Sequence, residues 1–131
     1  METGIDEILK EAGQIWPNAV LSSRREEERR QVRRFAVACA GSYQKEYADA
    51  CECFFLFRVI HRMTDVDAGW SALTGDWFFS RFSKALIPID SVLLIDRFSE
   101  YLTEDLMRSE QVFDMEGYMR FIRKTAEEIR L

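Results

Sequence analysis

The sequence predicts an all-α protein, a single-domain antiparallel bundle of about six helices. Only two prolines and six glycines punctuate 131 residues, too few for the frequent turns of a many-stranded β fold. Hydrophobic residues make up 47% of the chain and include ten Phe, three Trp and four Tyr, enough bulk for a packed core. Apolar side chains recur three and four residues apart, the period of a helix face. No repeat, low-complexity tract or linker divides the sequence, so residues 1–131 read as one domain.

Each helix has its own signals. The first is expected from Asp6 to Trp16, with Ile8, Leu9, Ala12 and Ile15 on one face and Pro17 ending it. The second starts at Ser23, spaced from Glu26 as in a capping box, and runs to about Gly41, which suits a C-terminal cap. The third, roughly Tyr43 to Met63, has little polar face. Cys51, Cys53, Phe54, Phe55, Leu56, Phe57, Val59 and Ile60 make it central and buried on most sides. The fourth covers Trp70 to Leu86 before Pro88 breaks the chain. The fifth, Asp90 to Arg108, stacks Leu94, Phe98, Leu102 and Leu106. The sixth begins with Asp114 as N-cap and carries Met115, Tyr118, Met119, Ile122, Ala126 and Ile129.

Composition narrows the function classes. A net charge of −5 argues against nucleic acid as the main partner, because phosphate binding requires a basic surface. The apolar runs are much shorter than the roughly 20 residues that span a bilayer, so no membrane span is expected. An acidic start without a leader, together with three cysteines, predicts reduced thiols and a cytoplasmic protein.

Candidate chemistry is sparse. The run Arg24-Arg25-Glu26-Glu27-Glu28-Arg29-Arg30 reads as a salt-bridged, solvated helix face, with anion binding by Arg33 and Arg34 as the competing role. Cys51 and Cys53, near His61, invite a metal reading. Residues two apart on a helix diverge by about 200°, however, and buried, inert thiols fit better. Among the acids, Asp65 and Asp67 diverge in the same way, Asp76 lies among aromatics, and Glu104-Asp105 reads as a solvated edge. No dense carboxylate cluster forms, so neither a catalytic nor a metal site is assigned to this chain.

The order of several motifs is informative. Val59-Ile60-His61-Arg62-Met63-Thr64-Asp65 is followed by Leu73-Thr74-Gly75-Asp76-Trp77-Phe78-Phe79-Ser80-Arg81. Then come Thr103-Glu104-Asp105-Leu106-Met107-Arg108 and Glu116-Gly117-Tyr118-Met119-Arg120-Phe121-Ile122-Arg123-Lys124-Thr125-Ala126. In this order the stretch 47–131 resembles part of the trans-type polyprenyl diphosphate synthases. These are all-helical enzymes in which an Ile-His step precedes an aspartate-rich motif, a Gly-Asp opens an aromatic helix, and a Lys-Thr-Ala step follows a Tyr. Arg33-Arg34 resembles only loosely the family's basic isopentenyl-diphosphate motif.

The resemblance implies the isoprenoid-synthase helical scaffold, with Lys124 and Thr125 at a diphosphate-binding position. It also exposes a loss. Arg62 and Met63 stand where the first aspartate motif would begin, and the second aspartate motif has no counterpart before Leu131. Without those magnesium ligands the transition-state charge lacks its metal clamp. The resemblance therefore implies a non-catalytic small subunit of a heteromeric synthase. Its partner would be a full-length catalytic polyprenyl diphosphate synthase subunit holding the Mg, with no cofactor on this chain. Phe54, Phe57, Trp77, Phe78 and Phe82 become the candidates for the subunit interface or for shaping a hydrocarbon tunnel. The alternative is a free-standing helical module for an apolar ligand or protein.

Overall fold

Among the described residues, five α-helices form where the apolar spacing predicts them. A computed structural model describes residues 10, 23–63, 67–108 and 112–131. The helices are α1 (Ser23–Cys39), α2 (Gln44–His61), α3 (Ala68–Leu86), α4 (Val92–Met107) and α5 (Met115–Ile129), with a 3₁₀ turn at Ile87–Ile89. The described residues contain no strand. The helix expected between Asp6 and Trp16 lies outside them, apart from Lys10, which is helical. The capping role expected of the Ser23 side chain also lies outside.

The α2 helix is the axis of the domain. It packs most extensively against α3 and then α1, while α1 and α4 each also touch α5. Every residue from Tyr47 to Ile60 is buried, as the nearly continuous apolar run predicts. Phe54 sits at the hub, with its ring centroid 5.1–5.9 Å from those of Phe57, Phe82, Phe98, Tyr101 and Tyr118. Two buried phenols then tie α2 to α5 reciprocally. Tyr47 in α2 donates to the Ile122 carbonyl, and Tyr118 in α5 donates to the Cys51 carbonyl, both at 2.6 Å. Both hydroxyls are thereby satisfied inside the core, as buried polar groups require.

The helix ends follow capping chemistry, with one departure. The Asp67 carboxylate accepts from Trp70 N–H at 3.0 Å and Ser91 Oγ from Leu94 N–H at 3.1 Å. Asp114 accepts from Gly117 N–H at 3.0 Å, the N-cap role its position predicts. Hydrogen bonds from Arg108 and from that backbone amide hold the Asp114 carboxyl below its ordinary range. Gly41 does not cap α1: the helix stops at Cys39, and no described glycine has a positive φ. The Gln44 side-chain amide donates to the carbonyls of Val37 and Ala40 at 3.1 and 2.8 Å. It satisfies the helix-end acceptors that a left-handed glycine would otherwise have served. The left-handed residue is Tyr43, with φ 51°, just before α2.

Two clusters of ions lie inside this apolar frame, and they correct the solvated readings. Arg29 is buried and donates to Glu52 at 2.7 Å and to Glu26 at 3.1 Å. Arg33 donates to both Glu52 and Asp49, at 2.9 and 2.8 Å. The basic stretch therefore has one solvated face, where Arg34 meets Glu27, and one buried face that pins α1 to α2. Asp105, expected on a solvated edge, is only 2% exposed. It accepts from Arg58 at 2.6 Å and from two nitrogens of Arg62 at 2.7 and 2.8 Å. Burial by itself would raise the Asp105 carboxyl, but the two guanidinium groups outweigh it and hold the group below the usual range.

Candidate functional site

An apolar cavity of about 380 Å³ opens between the C-terminal half of α3, the Ile87–Ile89 turn and the first half of α4. The break at Pro88 creates it. The turn swings the chain round so that α4 returns beside α3 while leaving a gap that no side chain fills. Rings from Phe54, Phe82 and Phe98 form its floor, and Phe79, Ile87, Val92 and Ile95 form its rim. Small residues keep the gap open, with Ser83 on α3 and Ser99 on α4 both lining it. Ser83 Oγ is turned to its own helix, donating to the Phe79 carbonyl at 3.1 Å, and Ser91 Oγ is taken by the helix cap. Asp90 is the one ionisable side chain in the lining. The volume falls within the range of small-ligand pockets, and the lining chemistry is that of a site for hydrocarbon.

Two of the motif segments meet in space. His61 at the end of α2 lies over Gly75 in α3, and its Nε2 is 3.2 Å from the Asp76 carboxylate. Phe57, one turn earlier, meets the imidazole edge to face at 4.7 Å. A Cβ at Gly75 would overlap the imidazole, so a larger residue there must displace the His61 side chain. Gly75→Ala is expected to cost about 1–3 kcal/mol by overpacking. His61→Ala in the same chain should recover much of that loss. A double-mutant cycle by urea unfolding checks it: a coupling near zero would show that His61 is not what limits the site.

The remaining candidates are dispersed. Lys124 is exposed and Thr125 is buried. Both line a polar cleft of about 260 Å³ with Arg97, Glu100, Glu104 and Glu128. Three carboxylates facing two cations make this cleft poor at holding a diphosphate, whose charge needs a net positive surround. Arg33 spends its guanidinium on Asp49 and Glu52. Cys51 and Cys53 are fully buried, and burial pushes both thiols well up, which makes them inert. Among the described residues no three His, Cys, Asp or Glu side chains gather as metal ligands, and Asp65 lies outside those residues.

The five aromatic candidates do not share one role. Phe57 and Phe78 are buried in this chain's own core, so their rings are not available to an outside partner. Phe54 and Phe82 are also buried but reach the cavity as its floor. Trp77 is half-buried, with Arg81 stacked 5.0 Å over its ring. The apolar surface that is exposed lies elsewhere. Ile87 is 73% and Val92 74% exposed, with Ile95, Leu106 and Met107 also open to solvent. Sequence reasoning missed this face because it stacked Leu102 and Leu106 with Leu94 and Phe98. Residues four apart drift by about 40° per step, so Leu94 and Phe98 are buried while Leu106, on the side of Val92 and Ile95, is 62% exposed. Two stripes on one helix are a signal that both sides are covered. No described helix is long and apolar enough to cross a membrane. No family model, curated protein or solved structure matches the chain.

Proposed function

We propose that this chain is the non-catalytic small subunit of a heteromeric polyprenyl diphosphate synthase, binding the catalytic subunit and helping to set product chain length. The observation that carries the reading is the uncovered apolar face running from Ile87 along Val92, Ile95 and Leu106 of α4. A stripe of that kind is characteristic of surfaces that another protein covers. The ordered motifs of residues 47–131 supply the family. The meeting of His61 with Gly75 and Asp76 supports it, because two of those motifs form one packed unit. In this role the chain contributes shape and an apolar wall, and the partner contributes magnesium and diphosphate chemistry.

The competing reading, a free-standing module for an apolar ligand, is favoured by a cavity built wholly from this chain. Co-expression with a full-length catalytic synthase from the same source separates the two. The subunit reading expects a co-purifying complex whose isoprenoid products are longer than those of the catalytic chain alone. It expects Val92→Glu with Ile95→Glu to abolish that complex while the helical circular dichroism persists. A mixture with no complex and unchanged products would remove the subunit reading.

A further inference from the structure

We propose that α4 pairs with α4 of a second copy of this chain, antiparallel and about a two-fold axis at Ser99. Beside the core-facing Leu94 and Phe98, the helix carries Val92, Ile95, Ser99, Leu102 and Leu106, spaced three, four, three and four apart. These five fall within about 80° of arc at 3.6 residues per turn. Such alternation is the seam along which two helices pack lengthwise. Leu102 is half-buried and the other four are exposed. With Ile87 and Met107, also exposed, the patch reaches several hundred square ångströms, the scale of the ~800 Å² that each partner buries in a stable complex.

The symmetry of the stripe selects a second copy as the occupant. Ser99 is equidistant in sequence from Val92 and Leu106, and from Asp90 and Arg108. A two-fold rotation there sets Val92 against Leu106 of the second copy and Ile95 against Leu102 of the second copy, each contact made twice. Charge agrees at both ends. Asp90 and Arg108 are exposed, and Arg108 already donates to Asp114 at 2.8 Å. A guanidinium has further N–H donors, so each end of the seam gains an acid facing a base. A parallel pair would instead set Asp90 against itself, and antiparallel helices also oppose their dipoles. Asp96, flanking the seam, comes level with Thr103 of the second copy rather than with another acid. The small Ser99 side chain lets the two backbones cross closely, and the open cavity beside it admits aliphatic side chains from the facing helix. The pairing does not depend on the subunit reading. If both stand, a catalytic partner and a second copy compete for one face, so self-pairing limits the chain free to join the synthase.

Sedimentation equilibrium on the purified chain, with no synthase present, tests this. The protein should show twice the mass of one chain at about 100 μM, where a dimer of micromolar Kd is nearly complete. Val92→Glu and Leu106→Lys should each weaken the pair at least about tenfold while the circular dichroism stays helical. Both substitutions in one chain should dimerise about threefold or more tightly than either alone, because each glutamate then faces a lysine. Ser99→Cys, in a chain with Cys39→Ser, should cross-link to itself under mild oxidation, since the axis brings the two positions within disulfide reach. Glu100→Cys, on the solvent side, should not. A monomer at that concentration overturns the proposal and leaves the face to a different protein. A dimer unchanged by Val92→Glu also overturns it, as does a double variant no tighter than the singles, or equal cross-linking at both cysteines. Because no synthase is present, a monomeric result leaves co-purification with the catalytic subunit untouched, and loss of that complex leaves the mass measurement standing.

Discussion

Replacing Asp105 by alanine is expected to lower the unfolding free energy by about 3–5 kcal/mol, the cost of leaving buried charges without their counter-ion. The Asp105 carboxylate is the acceptor for both Arg58 and Arg62. Arg58 has only 5% of its side chain exposed, so it cannot turn out to water to regain hydration. Asp105→Asn should cost less, since an amide oxygen still accepts one of the hydrogen bonds. Urea unfolding of the three proteins at neutral pH measures the difference, and a loss below about 1 kcal/mol would show that solvent reaches Arg58 after all. The pH dependence has a definite sign. The folded-state carboxyl is held below its unfolded value of about 3.9, so its stabilisation is complete above that value. It is lost as pH falls through the lower, folded-state value. The gap between wild type and Asp105→Ala should therefore close on acidification and remain constant above the carboxylate range.

Phe54→Ala is expected to cost a similar amount, about 3–5 kcal/mol, because a fully buried aromatic ring is deleted and a void is left. The position is unusual in that it touches both the core and the cavity. Phe54 is wholly buried, meets five other rings and contributes to the cavity floor. Truncation joins the new void to the existing one, so the wall cannot easily collapse to fill it. Thermal unfolding checks the loss. Phe54→Leu, which retains most of the volume, should lose clearly less. Equal losses in the two variants would mean that ring contacts rather than volume dominate.

The positions of the helices were legible because apolar spacing and local stop signals act within a few residues. Asp114 at the start of α5 and the break at Pro88 follow from short-range backbone chemistry. The buried ions were not legible in the same way. Arg29, Arg33 and Asp105 each sit in a stretch of mixed or polar sequence, and a charged residue on an amphipathic helix is usually solvated. What buries them is a partner 16 to 47 residues away. The signal lay on the other side of each pair. Asp49, Glu52 and Arg58 interrupt a helix read as buried on most sides, and a charge in such a helix must find a counter-ion. The end of α1 was misplaced at Gly41 for a comparable reason. The residue that closes it, Gln44, belongs to the next helix. The interface candidates were chosen by aromatic content, which marks cores and surfaces alike. Burial assigned Phe57 and Phe78 to the core and left the aliphatic residues of α4 outside.

The ions on α2 also solve a problem of indexing. A helix that is apolar on nearly every side gains almost the same burial at any angle about its axis, so the hydrophobic effect, being non-directional, cannot select one. Glu52 fixes one angle by meeting Arg29 and Arg33 of α1, and Arg58 fixes another by meeting Asp105 of α4. The two residues lie six apart on the helix, so their directions differ by about 120° around the axis. Two such bearings leave one solution for the rotation and, because each pair also has a height, one for the sliding position. Tyr47 and Tyr118 repeat the constraint towards α5. The greasiest helix of the chain is thus keyed like a lock cylinder, with its few polar groups serving as the pins.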